Sequence, residues 1–304
     1  MRGHVVVVLN WFGHDHTMEC VDSLLSGSPD VTVLVVDNGS FDGVLEALSG
    51  RARLETLQLP ENTGFTGGMN RGVARALEEG AHTITILNND TIVPPGAMRS
   101  LRLLAGGHRA VSPTVMYRDD PEEVWFAGGS LDMPDGYPHH SRAEELGACV
   151  DGLRTTELLA GCCITASADV WRSVGLLDDR FFLNFEDSEW SLRAREKGIE
   201  LAVACDVHIL HAVSASFRGD AATLGSYYFL RNGLLFSRLA GAGPRARARF
   251  LRRFGLAGKR RASTREKWRS LVIMTWAACA YLLGRYGEAP PALRELVRRW
   301  RSAN

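Results

Sequence analysis

The stretch "FFLNFEDSEW" puts three carboxylates, Glu186, Asp187 and Glu189, within four positions and behind three phenylalanines, with no cation among them. Like charges this close repel, and burial adds a desolvation cost. A cleft walled by Phe181, Phe182 and Phe185 would give such an acid a use, as a base pointing inward. The plainer reading is a helix that starts near Glu186, because the helix dipole favours acids in a first turn. That reading accounts for the acids but not for the aromatics before them. Two more acids close apolar runs, "VTVLVVD" at Asp37 and "TITILNND" at Asp90. If the runs are parallel strands, both carboxylates stand at the sheet edge where α/β folds bind ligands.

The elements that would carry these residues can be read from periodicity. Val5–Leu9 is a continuous apolar run, as expected of a strand buried on both faces. "DHTMECVDSLLSG" has helical spacing and a glycine stop. "VTVLVVD", "LETLQLP" and "TITILNND" read as strands, separated by the short helix "GVLEALSG" and the glycine-led helix "GGMNRGVARALEEG". Such alternation up to Asp90 predicts a parallel sheet with helices on its faces. After Asp90 the pattern loosens, and residues 121–152, rich in Gly, Pro and charge, read as a long functional loop with room for a short hairpin. Strand and helix return in "TTELLAGCCITASADVWRSVG", and "IELAVACDVHILH" is a further strand.

At 304 residues the chain suits one large α/β domain or two small ones. Its longest apolar runs fall short of a membrane span. Six cysteines without a C-x-x-C pair read as buried thiols of a reducing cytoplasm. The zero net charge hides an asymmetry. Residues 241–304 hold 16 Lys and Arg against 3 acids, which leaves 19 against 32 in the first 240 residues. An acidic body argues against nucleic acid as a partner.

The ordered blocks "VVVVLNW", "VVDNGS", "ENTGFTGGMNRG", "LNNDTIVPPGAM", "LLAGCCITASADVW", "GLLDDRFFLNFEDSEWSLRAREKG", "VHILHAVSAS" and "YYFLRNGLLF" resemble family 2 glycosyltransferases, especially a rhamnosyltransferase-like branch. The resemblance implies an α/β GT-A fold, Rossmann-like, for residues 1–240, with a nucleotide-sugar half to about 115 and an acceptor half to 240. It implies an inverting transfer from a UDP- or dTDP-sugar, dTDP-rhamnose or a UDP-hexose, to a glycan or small-molecule acceptor. Asp187 matches the catalytic base, with Glu186 as the fallback. Asp90, last residue of "NND", and His211 match the site of a divalent metal, Mg²⁺ or Mn²⁺, and Asn88 departs from the usual acidic first position. Asp37 matches the acceptor of a pyrimidine N3–H, with Asn10 in the same pocket and Asn89 near the ribose. Asn62, Gly64, Gly67, Gly68 and Asn70 of "ENTGFTGGMNRG" belong to the nucleotide-sugar site, and Arg231 to the diphosphate. Glu189 is read equally as plain surface.

Residues 241–304 form a basic, mainly helical extension. The favoured reading packs it on the acidic body, its arginines neutralising that charge. A peripheral contact with an anionic membrane, from the cytoplasmic side, and a homodimer contact stay open. The competing functions are a sugar nucleotidyltransferase, disfavoured because "NWFGHDHTMEC" lacks any Lys or Arg for a triphosphate, and a non-catalytic membrane-associated module.

Overall fold

The computed structural model describes residues 3–132, 136–141, 145–213, 220–256 and 263–302. Val5–Leu9 lies inside β1 (His4–Asn10), which is buried throughout. Alternate side chains leave opposite faces of a strand. Val6 and Val8 therefore join one apolar cluster, and Val5, Val7 and Leu9 another. There follow α1 (His14–Gly27), β2 (Val31–Asp37), α2 (Val44–Leu48), β3 (Leu54–Gln58), α3 (Gly64–Glu78) and β4 (Thr83–Asn88). β1 pairs in parallel with β2 and β4, and β2 with β3. Leu24 of α1 fills the first cluster, and Met69 and Val73 of α3 fill the second. The sheet is thus covered on both faces, which is why its strands carry unbroken apolar runs.

Beyond Asp90 come β5 (Thr91–Ile92), α4 (Ala97–Leu104), β6 (Arg109–Tyr117), β7 (Val124–Phe126), β8 (Gly129–Asp132), β9 (Tyr137–His140), β10 (Leu153–Thr155), β11 (Cys163–Ser167), α5 (Ala168–Val174), α6 (Glu186–Glu196) and β12 (Glu200–His211). The sheet runs β10-β12-β6-β11-β4-β1-β2-β3, with β5 on β12 and β7 on β6. β11 is antiparallel to both β4 and β6, and β12 is parallel to β6. It follows that β1, β2, β4 and β12 all end on one edge, carrying Asn10, Asp37, Asn88 and His211 to it. The loop region after β7 does hold a hairpin, β8 with β9.

Cysteine chemistry differs from the expectation. Cys149 and Cys205 form a disulfide across 56 residues, joining the loop before β10 to a bulge of β12. Cys20, Cys162 and Cys163 are the buried thiols expected, and Cys279 is an exposed one.

The extension packs on the body. α7 (Asp220–Leu239), α8 (Pro244–Leu256), α9 (Thr264–Leu282) and α10 (Pro291–Ser302) share a third apolar cluster. It contains Phe181 and Phe185 from the body, Tyr227 and Leu235 of α7, Phe250 of α8, Ile273 of α9 and Leu293 of α10. This core draws from both sides of residue 240. Its basis is apolar contact, whereas the expectation rested on charge. Ion pairs of the last helix stay local, Arg294 with Glu288 and Arg299 with Glu295. Among the described residues no helix is long and apolar enough to cross a membrane. Residues 214–216 of the "HAVSAS" block and 257–262 of the basic stretch lie outside the described residues.

Candidate active site

Two clefts open along the carboxyl edge and share Phe65, Asn88, Asp90 and Leu183. One, of about 380 Å³, is lined by Glu186, Asp187, His211, Trp125 and Gly161 among others. The second, of about 440 Å³, is lined by Trp11, Asn38, Asn62, Gly64 and Asn89 among others.

The three acids of "FEDSEW" have three different fates. Asn184 and Phe185 both adopt left-handed backbone, φ 70° and 72°. For a phenylalanine this costs on the order of 1 kcal/mol. The cost is offset by packing of Phe185 against Phe229, Phe236 and Phe250. The tight entry starts α6 with its acids at the cleft. Asp187 Oδ2 accepts from Gly161 N at 2.8 Å. Its Oδ1 accepts from Ser188 N at 2.6 Å and Ser188 Oγ at 3.2 Å. A carboxylate offers about four lone-pair directions, so one remains for a substrate hydroxyl. A Cβ on Gly161 would sit 3.1 Å from the Asp187 side chain, a tight contact that would make the carboxylate give by a few tenths of an ångström. Glu186 is buried, with Oε2 lacking a partner. Burial, then the charge of Asp187, push its carboxyl well above the usual range. Glu189 is neither surface nor site. It is 5% exposed and bonded twice to Arg193, which also caps the carbonyls of Val174 and Leu176.

Asp90 and His211 meet as expected, though far apart in sequence. β5 pairs His211 with Thr91, and Ala212 N donates to Asp90 O at 2.9 Å. His211 Nε2 lies 3.1 Å from Asp90 Oδ1. The approach is close but poorly aligned, so Oδ1 has no hydrogen-bond donor. Asn88 Oδ1 and His211 Nδ1 are also buried without partners. Stranded acceptors cost free energy, and a cation between Asp90 and His211 would satisfy the carboxylate. The residues therefore fit a divalent ion. Among the described residues no third His, Cys, Asp or Glu joins the pair. Part of the shell would come from water or ligand oxygens.

Several expected nucleotide residues serve the scaffold. Asp37 is 1% exposed. Its carboxylate accepts from Asn10, Ser40, Phe41 N and Gln58. Burial opposes its charge, but these donors outweigh burial and hold its pKa below the usual value. With its acceptor sites filled, it shapes the turn after β2 and has no free acceptor for a base N–H. Asn10 is likewise buried; its Oδ1 accepts from Gly13 N and Thr17 Oγ1. Asn70 staples α3 to the segment before α6 through Leu177 and Asp179. The space at Gly67 is taken by Thr63, at the start of the same helix, and that at Gly68 by Leu9 of β1, so Gly68 allows helix-to-strand packing and Gly67 only eases the helix start. Gly64 does face the second cleft, at φ +78° with Phe182 O against it. Asn62 and Asn89 line that cleft; Asn62 Oδ1 accepts from Asn38 Nδ2, and Asn89 donates to Thr17.

Arg231 is fully buried and lines neither cleft. Its guanidinium donates to Asn232 Oδ1, Gly287 O and Arg180 O. The expected diphosphate contact is thus replaced by a joint between α7, the body and the extension. Nor, among the described residues, is it paired with an acid. Of the aromatic walls, Phe182 stacks on Tyr228 and lines the second cleft, Phe185 lines the first, and Phe181 is in the core. Sequence reasoning missed Trp125, whose ring lies 4.8 Å from that of His211, and Trp11, 47% exposed at the second cleft. Both stand in quoted or loop segments as large aromatics with no amphipathic period, and that was the available signal.

A mixed α/β sheet with acids at one carboxyl edge and a helical C-terminal region is the fold of GT-A glycosyltransferases. A structure of GalNAc-T7 with UDP, GalNAc and Mn²⁺ aligns with TM-score 0.59 and 13% identity, over 95% of this chain and 58% of that one. Residues 6–155 match Glycosyl transferase family 2, and the chain carries a domain of that family. The hexosyltransferase Agl10 of low-salt glycan biosynthesis in Haloferax volcanii is 22% identical over 68% of this chain and 66% of its own length. The dTDP-rhamnosyl transferase RfbF of Shigella flexneri is 22% identical over 68% of this chain and 70% of its own. The relatives and the structural neighbour are all glycosyltransferases.

Proposed function

We propose that this protein is an inverting glycosyltransferase that uses a UDP- or dTDP-sugar, with Asp187 as its base. The observation that carries the reading is the Asp187 carboxylate, aimed into the first cleft by Gly161 N–H and sharing that cleft with Asp90 and His211. The second cleft suits the nucleotide, since amides and a glycine line it, and the first suits the sugar and acceptor. The second cleft takes residues from Leu9 to Asp90 out of the first 115, but also Phe182, Tyr228, Glu288 and Arg294 from beyond them, so a division into donor and acceptor halves at residue 115 holds only in part.

In the reaction, Asp187 takes the proton of the acceptor hydroxyl as that oxygen bonds to C1 of the sugar. The C1–O bond to phosphate breaks, and its electron pair leaves with the diphosphate. A single displacement inverts C1 and needs one base. Burial and the neighbouring Asp187 raise the Glu186 carboxyl and disfavour its charged form, which suits it to donate a hydrogen bond to a sugar or acceptor oxygen, and the fallback role as base recedes. Asp90 and His211 would hold Mg²⁺ or Mn²⁺, which when bound stabilises the charge on the leaving diphosphate. RfbF favours dTDP-rhamnose as donor and Agl10 a hexose. The acceptor is a glycan or a smaller hydroxyl compound.

The test is a panel of UDP- and dTDP-sugars incubated with the enzyme and analysed by mass spectrometry for hydrolysis or transfer. Turnover of at least one donor, lost in Asp187→Asn and in EDTA, is expected. Turnover that survives in both would refute the reading. Incorporation of a nucleotide from UTP or dTTP would support a nucleotidyltransferase instead.

A further inference from the structure

The second cleft poses a charge problem. Asp90 and Glu288 both line it, and among its described lining residues Arg294 is the only cation. A nucleoside diphosphate brings further negative charge. Glu288 and Arg294 come from the C-terminal extension, Arg294 from the first turn of α10. They pair with each other, and each side chain is 43% exposed.

The segment carrying them is fixed to the body at three points. Arg231 Nη1 donates to Gly287 O at 2.6 Å. Gly287 N donates to Arg180 O at 3.1 Å, and Ala289 N to the Tyr228 hydroxyl at 2.8 Å. Ala289 and Leu293, just inside the Glu288–Arg294 stretch, are buried. Tyr228 lines the cleft itself and stacks on Phe182. The backbone around Arg294 is thus anchored while its guanidinium stays open to the cleft. A guanidinium fork matches two phosphate oxygens at once.

We infer that the C-terminal extension completes the donor site, with Arg294 binding the diphosphate of the nucleotide-sugar. Glu288 holds the guanidinium at the cleft until phosphate oxygens replace it, and Arg231 is a positioning residue that acts through Gly287. The inference rests on the reading of the second cleft as the nucleotide site.

Calorimetry of the full chain with UDP, dTDP, UMP and dTMP, each with Mn²⁺, tests it. Arg294→Ala should weaken the better diphosphate by about 10- to 100-fold and the matching monophosphate much less, with an unchanged melting temperature. Arg294→Lys should recover only part, because the fork is lost. Glu288→Gln should tighten diphosphate binding by removing the competitor. Trp11→Ala, at a residue that lines the second cleft and not the first, is the control for the cleft. If it weakens diphosphate binding while Arg294→Ala stays within about twofold of wild type, the inference is overturned and the cleft reading stands. If no nucleotide binds the wild type, both fall. Equal losses for monophosphate and diphosphate in Arg294→Ala would also overturn it, because they would place the arginine away from the β-phosphate.

Discussion

A base needs a lone pair aimed at the proton, and Asp187 keeps one free after accepting three hydrogen bonds. Asp187→Asn keeps the shape and removes the proton acceptor. We expect kcat to fall about 10²- to 10⁴-fold with the affinity for UDP or dTDP nearly unchanged, measured by steady-state kinetics and calorimetry. Turnover within tenfold of wild type would refute the assignment. Glu186 yields a stability test. Its folded pKa lies above the usual 4.5. Below that pH both folded and unfolded states are protonated. As pH rises through 4.5 the unfolded state ionises first, so stability drains away until the folded carboxyl ionises too. Glu186→Gln removes this slope. Relative to wild type it should gain stability as pH rises above 4.5 in urea denaturation. A constant difference between the two proteins across that rise would mean that the Glu186 carboxyl is not raised. At this scale the sequence made Asp187 and Asp90 visible because acids after apolar or aromatic runs are unusual, whereas His211 was visible only through the resemblance to family 2 glycosyltransferases. It could not reveal that Asp37 is saturated, because Ser40, Gln58 and Asn10 are ordinary polar residues whose convergence depends on the fold.

Between residue and whole, the joints decide. Arg231 ties α7 to Gly287 and Arg180 through carbonyl oxygens, and carbonyls leave no mark in a sequence. That is why its block suggested a phosphate contact. Arg231→Met should cost about 2–4 kcal/mol by stranding those carbonyls and should weaken nucleotide binding as well. A loss of binding without loss of stability, by calorimetry and thermal melting, would point back to a direct contact. The Cys149–Cys205 bridge closes a loop of 56 residues between the segment before β10 and β12. By chain entropy it is worth about 4 kcal/mol. Dithiothreitol should therefore lower the urea midpoint of wild type and leave Cys149→Ser, already lowered, unmoved. The parallel half was legible almost to the residue because period and burial are local there. β11 and β12 were legible as strands, but their places between and beside β6 were not, since pairing partners lie far off in the chain.

For the molecule as a whole, the third apolar cluster makes body and extension one packing unit. A chain ended at Ala240 would expose Tyr227, Leu235 and the neighbours of Phe250. We expect it to aggregate or to melt at lower temperature, and a soluble, active truncation with unchanged melting would contradict this. Charge asymmetry announced the extension in the sequence, yet its docking surface was hidden, because apolar residues spaced across four helices form a core only after folding. The Glu288–Arg294 pair has a consequence for how the protein ages in the presence of proteases. The extension carries 16 lysines and arginines, each a tryptic site. Cutting most of them requires a local opening of the helices. A nucleotide that grips Arg294 binds only the closed form, so it slows opening-limited cleavage by a factor of 1 + [L]/Kd. Tryptic survival of residues 241–304 would then report donor occupancy over time, with UDP or dTDP protecting the extension and the monophosphates leaving it open to the protease.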